Sequence, residues 1–144
     1  MIGIFVLACS TASTPPPSSP LSVSEEELAL NFRFNLYQGE DILGSEIKDL
    51  SQLRGMPVVL NFWARLCPPC WTEMPELQEF HEESQERIIL LGIDIGQFTG
   101  LGSPRDASKL LDSMGITYPT GFTDDEDVVE KYKVSAMPTT VFID

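Results

Sequence analysis

Positive charge is scarce in this chain. Nine Lys and Arg stand against 22 Asp and Glu over 144 residues, giving a formal net charge of −13, and no base precedes Arg33. A phosphate backbone would be repelled by such a surface, which excludes nucleic acid as a partner. Cysteine is also sparse. Cys9, Cys67 and Cys70 are too few for the disulfide framework of a small secreted scaffold. With one histidine, His81, the chain offers few soft ligands beside the cysteines, and structural zinc usually takes four. A membrane-spanning helix is excluded as well, because it needs about 20 consecutive apolar residues and the apolar start of the chain, Met1 to Ala8, is far shorter. What remains is 42% hydrophobic, enough for one compact domain with an extension and too little for two domains. The acidic runs at Glu25 to Glu27 and Asp124 to Asp127 read as solvated faces or helix starts.

The chain divides into three stretches. Met1 to Ala8 leads into Cys9, and Val6-Leu7-Ala8-Cys9 resembles a bacterial lipoprotein cleavage box, in which the cysteine becomes the lipidated first residue. Residues 1–9 are therefore expected to be signal, with Cys9 the lipidation site. The missing basic n-region departs from that pattern and leaves an ordinary signal peptide as the alternative. Ser10 to Ser22 contains only Ser, Thr, Ala, Pro and Leu, including Pro15-Pro16-Pro17. This composition cannot offset its ordering entropy by burial, so 10–30 is read as a linker. A globular domain is expected over 31–144.

Within that domain, Phe32, Phe34, Leu36 and Ile42 around Gln38-Gly39-Glu40 predict an N-terminal β-hairpin. Met56 to Trp63 and Ile88 to Ile95 are near-continuous apolar runs of the kind buried on both faces of a parallel sheet. Pro68 suits the first position of a helix over about 68–85, on which Met74, Leu77 and His81 recur at helical spacing. A second helix is expected from Ser103-Pro104 to a stop at Gly115, and a third from the capping-box pair Thr123 and Glu126 to about Tyr132. Thr139 to Ile143 closes the series as a strand. Strands alternating with helices predict an α/β domain.

Cys67-Pro68-Pro69-Cys70 lies at the join of a buried strand and a helix. Residues three apart share one helix face, close enough for a disulfide to open and close without large backbone movement. At the helix N-terminus, free N–H groups and the helix dipole favour a thiolate on Cys67, the expected nucleophile. Cys70, a turn further in, is placed to resolve a mixed disulfide. His81 reads as a partly buried helix residue, and the five methionines as core fillers.

The run Pro57 to Pro75, with Trp63-Ala64-Arg65-Leu66-Cys67-Pro68-Pro69-Cys70-Trp71-Thr72-Glu73-Met74-Pro75, resembles the TlpA/ResA-type thioredoxin family, which commonly reads W-A-x-W-C-x-P-C-x-x-E-M-P. Ala136-Met137-Pro138-Thr139-Thr140 carries a second part of the likeness. The resemblance implies a thioredoxin fold, a central mixed sheet flanked by helices, acting outside the cytoplasm. It implies reduction of protein disulfides, in some members during cytochrome c maturation, with electrons from an upstream membrane donor. The molecule is expected to be a monomer and to need neither cofactor nor metal. Cys67 and Cys70 would be the attacking and resolving thiols, Pro138 a cis-proline facing them, and Glu73 a partly buried carboxylate exchanging protons with Cys70. Trp63, Pro68, Pro69 and Met137 would shape or contact the substrate site. In such proteins a partner strand and a last helix follow the strand that ends here near Ile143, so the C-terminus is expected to be incomplete.

Arg65, Leu66 and Trp71 depart from the family pattern. Leu66 replaces a customary Trp. Arg65 could stabilise the Cys67 thiolate or merely reach solvent, and Trp71 could dock a partner or pack inward. Two other functions stay open: a thioredoxin-fold copper carrier, for which the ligands are few, and a non-catalytic binding module. Haem attachment would need His where Trp71 stands.

Overall fold

A computed structural model describes residues 29–144. The signal, the Cys9 lipidation site and most of the linker fall outside those residues. Among the described residues no helix is long and apolar enough to cross a membrane.

Five strands form one mixed sheet: β1 (Asn35–Gln38), β2 (Val58–Trp63), β3 (Ile89–Asp94), β4 (Thr120–Phe122) and β5 (Thr139–Ile143), in the spatial order β1-β4-β3-β2-β5. The two apolar runs make the parallel pair β2 and β3, in register from Val58 opposite Ile89 to Trp63 opposite Asp94. Parallel neighbours need a crossover, and α2 (Pro68–Ser84) supplies it. β4 continues the parallel set, while β1 and β5 run antiparallel at the two edges. Between β3 and β4 lie the single-turn α3 (Gly96–Thr99) and α4 (Ala107–Met114). Gly115 ends α4 at φ +67, a left-handed conformation that glycine adopts without Cβ strain.

Alternation along the strands divides the core. Val58, Leu60, Phe62, Leu91 and Ile93 pack on one face with Phe32, Phe34, Leu50, Leu53 and Val128. Val59, Trp63 and Leu90 pack on the other with Cys67, Cys70, Met74, Leu111 and Tyr118. Even spacing sends side chains one way and odd spacing the other, so each strand serves both layers.

Two expectations need correction. The N-terminal hairpin takes another form: no strand follows Gln38-Gly39-Glu40, where Gly39 (φ +96) instead opens the one-turn helix α1 (Glu40–Leu43). β1 pairs with β4, and the chain returns beside itself only at the Arg33–Asp49 bridge. Backbone approach decides this, because a Cβ at Gly121 would collide with the carbonyl of Asn35. The third helix is also shorter, α5 (Val128–Lys131). The Thr123 hydroxyl donates to the Arg33 carbonyl (2.6 Å) and accepts from the Asp125 N–H (3.1 Å), so it tethers a turn instead of capping a helix.

Candidate active site

β2 delivers the site. It runs buried along its whole length, and the chain turns after Ala64 so that Cys67 becomes the N-cap of α2. Pro68 and Pro69 fill the first two helical positions, where a missing N–H removes nothing the helix would use. Both are exposed beside the cysteines. The Cys67 sulfur accepts the Cys70 N–H at 3.3 Å, a capping interaction that directs the sulfur towards the helix mouth. Cys67 and Cys70 form a disulfide with Cα atoms 5.3 Å apart, within the usual span for such a bond. Both cysteines are buried, Cys67 with 4% of its surface exposed and Cys70 with none, so the first is the less covered of the two.

The Met137–Pro138 peptide is cis. β5 pairs with β2 from Ile143 opposite Val58 to Thr139 opposite Phe62, so Pro138 lies one step beyond, at the sheet end from which β2 feeds Cys67. Met137 is half-buried and packs against the core cluster that contains both cysteines.

Glu73 is half-buried, one helical turn after Cys70 and on the same face. Its Oε2 accepts from the Asn61 amide at 3.2 Å, and the same amide donates to Thr140 Oγ1 at 3.0 Å. Asn61 thus joins the helix carboxylate to β5, the strand that Pro138 immediately precedes. Neither Asn61 nor Thr140 was among the expected site residues. An Asn inside the apolar run Val58 to Trp63 was the available signal, since a buried amide has to be hydrogen-bonded.

Trp63 has no exposed surface. It can support the cysteine turn from beneath but cannot touch a substrate, which corrects its expected place among the contact residues. Tyr118 and His81 are buried in the same layer with ring centroids 6.3 Å apart. Burial, reinforced by the charge of Glu73, pushes the Tyr118 phenol up, and burial holds His81 below its ordinary value. At the far edge of the site, the Tyr37 hydroxyl donates to Asp94 (3.1 Å), whose carboxyl is raised by burial and also accepts the Gly96 N–H at 2.8 Å. Trp71 is partly exposed, with its Nε1 donating to the Arg65 carbonyl at 2.9 Å. Among the described residues, no three His, Cys, Asp or Glu side chains gather as a metal site would need.

The AhpC/TSA family model matches residues 28–144. The thiol-disulfide oxidoreductase ResA of Oceanobacillus iheyensis is 34% identical over 110 residues, 76% of this chain and 55% of the relative. ResA of Bacillus subtilis is 31% identical over 123 residues, 85% of this chain and 63% of the relative. The chain therefore spans a little over half the length of these curated relatives. Among solved structures, the exposed lipoprotein thioredoxin of Streptococcus pneumoniae superposes with a TM-score of 0.63 at 24% identity, covering 80% of this chain and 82% of that one, a likeness of fold.

Proposed function

The chain belongs to the AhpC/TSA family, as a TlpA/ResA-type protein of the thioredoxin superfamily, and from that premise we propose that it is an extracytoplasmic thiol-disulfide oxidoreductase reducing disulfides in other proteins. The observation that carries the reading is the Cys67–Cys70 disulfide at the mouth of α2, with Cys67 the less covered of the two cysteines. In the reduced chain the helix N-terminus favours the Cys67 thiolate. That thiolate attacks one sulfur of a substrate disulfide, forming a mixed disulfide and expelling the other sulfur as a thiolate. Cys70 then loses its proton and attacks the Cys67 sulfur, releasing the second substrate thiol and closing the Cys67–Cys70 disulfide. The substrate gains two electrons and two protons, and a dithiol donor at the membrane returns the centre to its reduced state.

Glu73, held by Asn61, is the group we assign to receive and return the Cys70 proton. The cis-proline turn at Met137–Pro138, with Pro68 and Pro69, forms the rim on which an extended substrate segment lies. Cys9 would tether the domain through a lipid, with 10–30 as spacer, and oxidised apocytochrome c is a candidate substrate. The domain acts as a monomer in this reading.

The test uses the purified, pre-reduced chain with insulin as substrate and a count of bound metal. Turnover without metal, together with capture of partner proteins as mixed disulfides by Cys70→Ser, is the expected result. Inert thiols would leave a binding module, and tight metal binding without turnover a carrier. In the same assay Glu73→Gln should slow exchange by about tenfold or more while the fold persists.

A further inference from the structure

Six large hydrophobic side chains stand exposed among the described residues, and two of them flank the cysteine pair. Leu66, next to Cys67, is 48% exposed, and Trp71, next to Cys70, is 37% exposed. Together with Leu110, Arg65 and Lys109 they line a cleft of about 480 Å³. Leu66, which stands where the family customarily has Trp, meets Arg65 and Trp71 in this one place. Its floor is fixed: the Trp71 indole is pinned to the Arg65 carbonyl, and the Leu66 N–H donates to the Leu101 carbonyl at 2.8 Å. Gly102 (φ +120) packs so closely that a Cβ there would come to 3.2 Å from the Arg65 Cβ.

The charge of the cleft is opposite to that of the molecule. Lys109 pairs with Asp106 at 3.1 Å, and this hydrogen bond, aided by Arg65 and Arg105, holds the Asp106 carboxyl below its usual range. Three of the nine bases of a −13 chain thus act on one acid, and two of them, Arg65 and Lys109, line the cleft. An anionic membrane, or a second copy of this chain at −13, would bring extended negative charge over the whole acidic face and be repelled. One or two carboxylates beside a disulfide instead meet mainly the local bases. Two residues of the cleft lining, Leu66 and Trp71, are the chain neighbours of Cys67 and Cys70, which ties this surface to the redox turn.

We propose that this cleft docks the substrate protein through a large apolar side chain seated on Leu66, Trp71 and Leu110, with a neighbouring carboxylate on Arg65 and Lys109. The inference rests on the redox reading above and names the substrate class for it: disulfides whose flanks are apolar and acidic.

The test compares two synthetic peptides of equal length on the pre-reduced chain. Each carries one cysteine as its thiopyridyl mixed disulfide, flanked by Trp and either two Glu or two Lys. Cys67 attacks the peptide sulfur and expels pyridinethione, then Cys70 attacks Cys67 and frees the peptide thiol, so the chain supplies both electrons. The acidic peptide should react about tenfold faster at low salt, and the ratio should shrink at high salt as exposed charges are screened. Lys109→Glu, at a position whose side chain is 82% exposed, should cut the ratio at least threefold. Equal peptide rates, or a ratio indifferent to Lys109→Glu, would overturn the docking inference while the redox reading stands. Failure of the reduced chain to react with uncharged dithiodipyridine would instead remove the redox reading itself.

Discussion

Val58, Leu60 and Phe62 enter one layer of the core, whereas Val59, Asn61 and Trp63, interleaved with them on the same strand, enter the other. The first layer is built from hydrocarbon and aromatic rings: Phe62 and Tyr132 lie 5.1 Å apart by ring centroid, Phe32 and Tyr132 5.7 Å. The Tyr132 hydroxyl reaches out to the Leu30 carbonyl, and burial pushes its phenol up to about 12. The second layer holds the disulfide, the Asn61 amide, Tyr118 and His81. Trp63 Nε1, Tyr118 Oη and His81 Nδ1 are all buried there without a protein hydrogen-bond partner among the described residues. Tight apolar packing on one side lets the other carry polar groups that add little to stability. One layer holds the fold and the other holds the chemistry.

This contrast is sharpest under mutation. Phe62→Ala, in the apolar layer, should cost about 3–5 kcal/mol in denaturant unfolding, because the lost ring leaves a cavity among Phe32, Leu60 and Tyr132. A loss below about 1 kcal/mol would mean that the layer is loosely packed and that the division of labour is not real. Tyr118→Phe, in the other layer, removes a buried hydroxyl that has no protein partner. Stability should hold or rise by up to about 1 kcal/mol, and a fall larger than that would reveal a hydrogen bond to the phenol.

The smallest effect separates the layers by acid. His81 is held below its ordinary value by burial, with Glu82 and Asp41 opposing the shift. The unfolded chain then binds this proton at higher pH than the folded one. The contribution is fully present above the unfolded value of about 6.5 and is lost as pH falls below it. Asp94, raised by burial, works in the opposite direction, since protonation relieves its folded state. Unfolding measured between about pH 7 and about pH 5 should show a slope that His81→Gln reduces, whereas an unchanged slope would assign it to other groups.

The parts of the molecule that local physics decides were legible in the sequence. Val58 to Trp63 and Ile89 to Asp94 announce themselves as apolar runs, Pro68 marks the start of α2, and Gly115 marks the end of α4. The cysteine pair was legible for the same reason, because its spacing lies within a single helical turn. Contacts distant in sequence were not. β4 is three residues long with Gly121 at its centre, and it becomes a strand only because β1 and β3 close on it. Thr123 has the sequence of a helix cap, but its hydroxyl goes to Arg33, ninety positions away. The cleft is divided among Arg65, Leu66 and Trp71 in one segment and Lys109 and Leu110 in another, so the first three looked like isolated oddities and the last two like ordinary helix residues.

The two tryptophans sit in different surroundings near the disulfide, Trp63 dry in the cluster that holds both cysteines and Trp71 partly exposed at the position after Cys70. Disulfides are efficient quenchers of nearby indoles, so the chain carries its own optical gauge of the electrons it holds. The inner indole senses the bond from a sheltered seat and the outer one also senses whatever settles over the cleft, which makes chemistry and docking separable by colour and intensity without attaching a label.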